Sequence, residues 1–187
     1  MEKLLLTGFE PFGKEKINPS EIIVKKMHGR NIGGKKVISQ VLPVNSSCGE
    51  IIRREIENVA PRYILSLGLA GGRNQICLER IAINLSPENK KIFVDGADAY
   101  FSHLPLESIL EELHKNNIPA RISNSAGTYF CNYVMYYTLH YLKYRDLSIK
   151  AGFVHLPYIP EQVLDRDLPS MSLKTMEKAV EIVIRSI

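Results

Sequence analysis

The sequence predicts an α/β fold, a three-layer α/β/α sandwich around a mostly parallel, twisted sheet, in a single domain over residues 1–187. Short apolar runs alternate with amphipathic segments along the chain, which is the order that joins parallel strands through helices. The segment RYILSL at 62–67 is nearly continuously apolar, as expected of a strand with helices on both faces. At 187 residues, the chain is long enough to bury one sizeable core.

In the first half of the chain, a strand is predicted over 3–8, followed by a loop rich in glycine, proline and phenylalanine. Asn18 and Pro19 mark a helix start, because Asn accepts hydrogen bonds from free amides and proline suits the first helical position. This helix extends to about His28. The other predicted elements are a strand over 36–42, a helix over 47–59 with a capping box between Ser47 and Glu50, a strand over 62–67 and a strand-like segment over 75–84.

The second half continues the alternation of helices and strands. The predicted elements are a helix over 106–117, a strand over 120–123, a helix over 129–144, a strand over 151–155 and a terminal helix over 172–187. The polar segment 85–99 is predicted to be the most mobile loop. Sites in parallel sheets form at the carboxyl ends of strands. We therefore expect a site among the loops at 9–13, 68–72, 123–127 and 155–160.

Composition argues against several classes of function. The formal net charge is +4, but the basic residues are scattered, so a nucleic-acid partner is not predicted. The three cysteines form no CxxC pair, which argues against a zinc site and against a disulfide framework. The opening MEKLLLTG is too short an apolar run for a signal peptide, and no segment reaches the length of a membrane span. We expect a cytoplasmic protein with reduced thiols and no membrane partner.

Cys131 lies near the start of the helix predicted over 129–144, directly after a tight Ser-Ala-Gly turn. A helix N-terminus lowers the pKa of a thiol, and its free amides can stabilise an oxyanion. These features favour a nucleophile. Free cysteine is also among the most buried residue types, and Met135 and Leu139 continue an apolar stripe from Cys131. A core role therefore stays open.

A nucleophilic thiol needs a base and a group that orients the base. His155 closes the apolar strand AGFVH at the expected edge of the sheet, although a structural histidine would also suit this position. Glu79 interrupts an apolar, strand-like run, where a carboxylate needs a partner. That partner is either His155 or the adjacent Arg80, and the spacing alone does not decide between them.

The loop GFEPFG over 8–13 carries Phe9 and Phe12 between glycines and a proline. It is expected to form either a flat apolar slot for a small planar ligand of low charge or a small hydrophobic cluster.

Several segments in order resemble the pyrrolidone-carboxylate peptidase (pyroglutamyl peptidase) family of cysteine exopeptidases. They are GFEPFG with INPSE, VLPV, GLAGGR, ERIAIN, AYFSHLP, ISNSAGTYFCNYVMY and FVHLPYIPEQ, and they span nearly the whole chain. The resemblance implies an α/β/α sandwich and removal of N-terminal pyroglutamate (5-oxoproline) from peptides through an acyl-thioester on Cys131.

For the site, the resemblance implies a catalytic triad of Cys131, His155 and Glu79. It also implies that Phe9 and Phe12 hold the substrate ring, and Arg80 is a candidate to support the oxyanion. It further implies a cytoplasmic homo-oligomer, either a dimer or a tetramer, that needs no cofactor and no metal.

This chain departs from the family pattern at three places. Cys77 replaces a small hydroxyl residue, Phe130 replaces a smaller aliphatic residue, and the segment 85–99 is about a dozen residues shorter than usual. The shorter segment puts the family's oligomeric contacts in doubt.

Two other functions remain as alternatives. A nucleoside-phosphorylase-like enzyme would use GLAGGR over 68–73 as an anion-binding loop, and a non-enzymatic domain would only bind a small ligand.

Overall fold

The computed structural model describes all 187 residues. Nine strands and five helices follow one another along the chain: β1 Glu2–Phe9, α1 Pro19–Met27, β2 Asn31–Ile32, β3 Lys35–Leu42, α2 Ser47–Val59, β4 Tyr63–Leu69, β5 Ile76–Glu79, β6 Ile81–Ile83, β7 Ala99–Phe101, α3 Leu106–Lys115, β8 Ala120–Ser123, α4 Phe130–Tyr144, β9 Lys150–Leu156 and α5 Leu173–Ser186. The predicted α/β fold is confirmed, and most element boundaries agree within a few residues.

Seven strands form the main sheet in the order β2-β3-β1-β4-β9-β5-β8. Its centre is parallel, because β1 pairs in parallel with β3 and β4, and β4 with β9. Strand β5 runs antiparallel to β9, and β8 runs parallel to β5. The sheet is therefore mostly parallel, as predicted, but β5 and β8 end at the opposite edge from β9. Strands β6 and β7 form a separate antiparallel pair.

Two hydrophobic cores lie on opposite faces of the sheet, which gives the three layers. One core joins the sheet to α1, α3 and α5, and the other joins it to α2 and α4. Alternate strand residues feed the two cores. On β9, Val154 faces the first core while Phe153 faces the second. None of the helices is long and apolar enough to cross a membrane.

Of the two helix caps predicted from the sequence, the structure contains one. Asn18 caps α1 as predicted, since its side-chain oxygen accepts a hydrogen bond from the Ser20 amide at 3.0 Å. The capping box predicted between Ser47 and Glu50 is wrong. Asn45 instead accepts from the Ser47 amide and hydroxyl, and Glu50 binds the Tyr137 hydroxyl on α4.

The segment 85–99 is held more firmly than the sequence suggested. The Asn84 carboxamide accepts hydrogen bonds from the amides of Ile92 and Phe93 and donates to two carbonyls of the segment. The Tyr136 hydroxyl donates to the Ala97 carbonyl. The segment is therefore tied to β6 and α4 by side-chain hydrogen bonds that polarity alone does not reveal.

Candidate active site

Cys131 is the second residue of α4, and its side chain points toward the sheet. No side chain caps this helix, and no protein group accepts a hydrogen bond from the amides of residues 130 to 132. Free amides at a helix start carry partial positive charge and can bind an oxyanion. The helix start therefore offers donors beside the thiol, as the sequence predicted.

A glycine on the sheet leaves room for the sulfur. A Cβ atom on Gly68 would lie 2.7 Å from Cys131 Sγ and 2.8 Å from the Phe153 ring. Gly68 pairs with His155 across strands β4 and β9. The sulfur therefore lies against the carboxyl ends of these two strands, next to the histidine.

His155 and Glu79 form a direct, buried pair. His155 Nδ1 lies 2.7 Å from Glu79 Oε1, and both side chains are almost fully buried. With Glu79 ionised, Nδ1 carries the proton and donates it, which leaves Nε2 as the basic nitrogen. The sequence left open whether Glu79 pairs with His155 or with Arg80. The distance between the two side chains shows that its partner is His155.

Arg80 lies away from this pair. Its side chain is 40% exposed, and its Nη2 lies 3.5 Å from Glu107 Oε1 on α3. Arg80 directly follows Glu79 at the end of β5, so its side chain points to the opposite face of the sheet. The structure does not bring Arg80 to the thiol, which corrects its suggested role at the oxyanion.

A different arginine reaches the pair. Arg73 Nη1 lies 2.5 Å from Glu79 Oε1, and Nη2 donates to the Ser125 carbonyl at 3.2 Å. Sequence reasoning placed Arg73 only in a possible anion-binding loop. Its position in the loop between β4 and β5, next to the segment 68–72 that was expected at the site, was the signal that could have found it.

Burial sets the protonation states of the three groups. Burial raises the pKa of Cys131 to about 12, and the nearby Glu79 charge adds to the increase. Both effects oppose the lowering that a helix start alone would produce. Burial also lowers the pKa of His155, which outweighs the opposing effect of Glu79. Burial raises the pKa of Glu79, but the hydrogen bond from His155 and the other partners lower it further, so the net shift is downward.

A pocket of about 110 Å³ opens beside Cys131 and His155. Phe9 and Phe12 line it, as the sequence analysis expected. The remaining lining residues are Val44, Leu69, Ala126, Tyr129 and Phe130. Leu69 and Ala126 lie in segments that the sequence analysis expected at the site, and Phe130 was noted only as a departure from the family pattern. Sequence reasoning missed Val44 and Tyr129. Apart from His155, the lining carries no group with a formal charge, so the pocket suits a small, uncharged ring.

An imidazole paired with a buried carboxylate, facing the same pocket as a thiol at a helix start, defines a cysteine hydrolase. The comparisons give the family. The model of the pyroglutamyl peptidase family matches residues 2–187, and the chain belongs to that family. It is therefore a cysteine peptidase.

Individual relatives agree over the full length. The chain is 44% identical to the pyrrolidone-carboxylate peptidase of Oceanobacillus iheyensis over 195 residues, which covers 98% of each chain. It is 43% identical to that of Pyrococcus furiosus over 206 residues, which covers 99% of each. The structure of Bacillus amyloliquefaciens pyroglutamyl peptidase I superposes with a TM-score of 0.96 at 37% identity, over 100% of this chain and 96% of that one. These matches lend no support to the phosphorylase and ligand-binding alternatives.

Proposed function

We propose that this chain removes N-terminal pyroglutamate from peptides, with Cys131 as nucleophile, His155 as general base and Glu79 as the group that orients His155. One observation carries the proposal. The thiol and the imidazole line one small pocket, while Glu79 holds Nδ1 of that imidazole at 2.7 Å.

The reaction starts from a neutral pair, because the thiol keeps its proton and His155 is uncharged at neutral pH. His155 Nε2 takes the Cys131 proton as the sulfur attacks the acyl carbon of the pyroglutamyl residue. The oxyanion is received by the free amides at the start of α4. The imidazolium then gives its proton to the departing amine, which leaves an acyl-thioester.

The second half of the reaction restores the enzyme. His155 takes a proton from water, and the resulting hydroxide attacks the thioester carbon. The C–S bond breaks, the thiolate regains the proton from the imidazolium, and pyroglutamate leaves as the free acid. These steps need only side chains and water, so we propose that no cofactor or metal takes part and that EDTA leaves the rate unchanged.

Substrate choice follows from the pocket. The lactam ring has no charged amine, which suits a lining without an acidic residue, and we propose that Phe9 and Phe12 flank the ring. Backbone groups would pair with the lactam N–H and C=O. A site built to pair both should reject N-terminal proline, which lacks the carbonyl, by as much as ~10⁴-fold.

A pyroglutamyl fluorogenic amide, with the prolyl amide beside it, tests the activity. We expect turnover of the first only, lost after treatment with iodoacetamide and in Cys131→Ser. Cys48→Ala is the matched control, since Cys48 is a fully buried core thiol and should be dispensable. Absence of turnover by folded wild-type protein, or turnover that survives Cys131→Ser, would refute the proposal.

The orienting role of Glu79 is tested separately. Glu79→Gln should lower kcat by as much as ~10⁴-fold, because the amide no longer holds the productive imidazole tautomer. The circular dichroism spectrum should stay that of the wild type. A variant that folds and keeps full activity would remove Glu79 from the mechanism.

We also propose that residues 1–187 act as one catalytic domain, in a cytoplasmic homo-oligomer of two or four copies. A partly exposed, largely aromatic concavity between α4 and the segment before β7 supports self-association: Phe93, Val94, Tyr137, His140, Tyr141 and Tyr144 line a volume of about 440 Å³. Val94 and Tyr144 are each 79% exposed in the single chain. Sedimentation velocity should give a mass above one chain, and Val94→Glu with Tyr144→Glu should reduce it to the monomer.

A further inference from the structure

Arg73 connects three parts of the site described above. It lies in the loop after β4, and its guanidinium bonds Glu79 Oε1 at 2.5 Å. The same oxygen binds His155 Nδ1 at 2.7 Å. The other terminal nitrogen of Arg73 donates to the Ser125 carbonyl at 3.2 Å, in the turn that leads to Cys131.

We propose that Arg73 is a positioning residue for the reaction proposed above: it fixes the Glu79 carboxylate for His155 and ties to it the turn that places Cys131. The inference rests on the proposed function. Arg73 is not among the residues that line the substrate pocket, so its effect passes through Glu79 and the 123–127 turn rather than through substrate contact.

A buried carboxylate requires a partner with positive charge. Glu79 is fully buried, and His155 is neutral before the reaction starts, so hydrogen bonding by His155 leaves the negative charge uncompensated. Arg73 is the one Lys or Arg whose nitrogen lies within 4.0 Å of that carboxylate. Its planar fork can bond the carboxylate and a carbonyl simultaneously, which the single ammonium group of lysine does less well.

Other titratable groups face the same region from neighbouring elements. Cys131 lies on α4, Cys48 on α2 and Cys77 on β5. Burial raises the pKa of Cys131 and of Cys48, so neither of these thiols adds a charge. Arg121 on β8 points its Nε at Cys77 Sγ, 3.4 Å away, and not at Glu79. Arg73 is therefore the cation that acts most directly on the pair.

The charge of Arg73 has a defined electrostatic effect on this pair. It lowers the pKa of Glu79, and it also lowers the pKa of His155, because a nearby cation disfavours imidazolium. Removing the charge should therefore raise both values. The acid limb of the pH profile of kcat/KM reports the pKa of the general base in the free enzyme. This limb should therefore move to higher pH when the charge of Arg73 is removed.

The experiment compares Arg73→Gln and Arg73→Lys with Arg121→Gln, a matched control on the neighbouring strand. We expect Arg73→Gln to lower kcat at least tenfold with little change in KM, and to shift the acid limb to higher pH. Arg73→Lys should recover part of kcat and return the limb toward the wild-type pH. The control should behave as wild type. Titration of the His155 imidazole by NMR gives the same pKa change without using activity.

Three outcomes would overturn the inference. Wild-type kcat and an unchanged acid limb in Arg73→Gln would show that the contacts are dispensable, and a rise in KM alone would make Arg73 a substrate contact. If Arg73→Gln does not fold, a folded Arg73→Lys with wild-type kcat and pH profile would equally exclude a positioning role. Wild-type protein without turnover would instead refute the proposed function.

Discussion

In the proposed reaction, Cys131 keeps its proton until the substrate is bound. Its sulfur lies against Gly68 on the sheet, where burial and the Glu79 charge raise the pKa of the thiol. In the proposed reaction, proton transfer to His155 therefore accompanies attack and does not precede it. A resting thiolate paired with imidazolium would be the contrary arrangement.

Alkylation kinetics distinguish these two arrangements. With the pKa of Cys131 at about 12, the rate of inactivation by iodoacetamide should rise by about tenfold per pH unit above neutrality, without a plateau. The rate constant is measured by quenching aliquots into the fluorogenic assay. A plateau with a midpoint below neutral pH would establish a resting ion pair instead.

For individual residues, the sequence predicts which side chains belong to the site better than it predicts which of them pair with each other. Motif resemblance supplied Cys131, His155 and Glu79, whereas spacing left each assignment open. Arg80 was a possible partner of Glu79 and a candidate to support the oxyanion, but adjacent strand residues face opposite sides of a sheet. Arg73, six residues earlier, reaches Glu79 through a loop whose path no local pattern specifies.

Among the elements, β4 matters because its glycine leaves space for the nucleophile. Gly68→Ala would place a methyl group 2.7 Å from Cys131 Sγ and 2.8 Å from the Phe153 ring. The sulfur must then move, so kcat should fall at least tenfold, and overpacking should cost ~1–3 kcal/mol of unfolding free energy. Steady-state kinetics and urea denaturation measure the two effects. Wild-type kcat in this variant would mean that the sulfur position is not critical.

The segment between β6 and β7 depends on one carboxamide. Asn84→Ala removes its four hydrogen bonds to residues 92, 93 and 96 and should cost ~1–3 kcal/mol, since buried backbone groups lose their partners. Hydrogen exchange of the amides at 92 and 93 should become faster. Glu88→Gln, on the exposed part of the same segment, is the control and should leave exchange unchanged.

The sequence could not reveal this restraint, nor the direction of β5. The strand-like pattern over 75–84 is one run in the sequence, but it breaks at Arg80 into β5 and β6, which belong to different sheets. Apolar alternation identifies strands without giving their direction. Loop length and tertiary packing set the direction, and these are non-local.

For the whole molecule, acid should weaken the fold in two stages. Burial lowers the pKa of His155 and of His140 from 6.5. As the pH falls below 6.5, these two side chains therefore bind protons in the unfolded chain before they do so in the folded protein, which lowers the free energy of unfolding. The pKa of Glu79 lies below 4.5, so its stabilising contribution is present above pH 4.5 and lost as the pH falls through the lower folded value. All three pKa values are lowered in the folded protein, so acidification favours the unfolded chain at each of these groups.

Thermal melts between about pH 8 and pH 4 test this. The melting temperature should be flat at the alkaline end, decline below pH 6.5 and decline further below pH 4.5. His140→Gln should reduce the first decline. A melting temperature that rises on acidification would contradict the assigned shifts.

The alternation of strands and helices was sufficient to predict the three layers, because each layer follows from local hydrophobic periodicity. The site was predictable only in part. Its pocket is assembled from strand ends, loops and the start of α4. The rule that sites form at the carboxyl ends of strands indicated most of these segments, but only the family motifs indicated the roles of their residues.

The raised pKa of the Cys131 thiol beside Gly68 also affects how the protein withstands oxidation. Peroxide oxidises cysteine through the thiolate, toward sulfenic and then irreversible sulfinic acid. A thiol that stays protonated at neutral pH gives such oxidants little to react with. The purified protein should therefore keep its activity during storage in aerated neutral buffer without added reductant, and should lose it progressively faster as the storage buffer is made more alkaline.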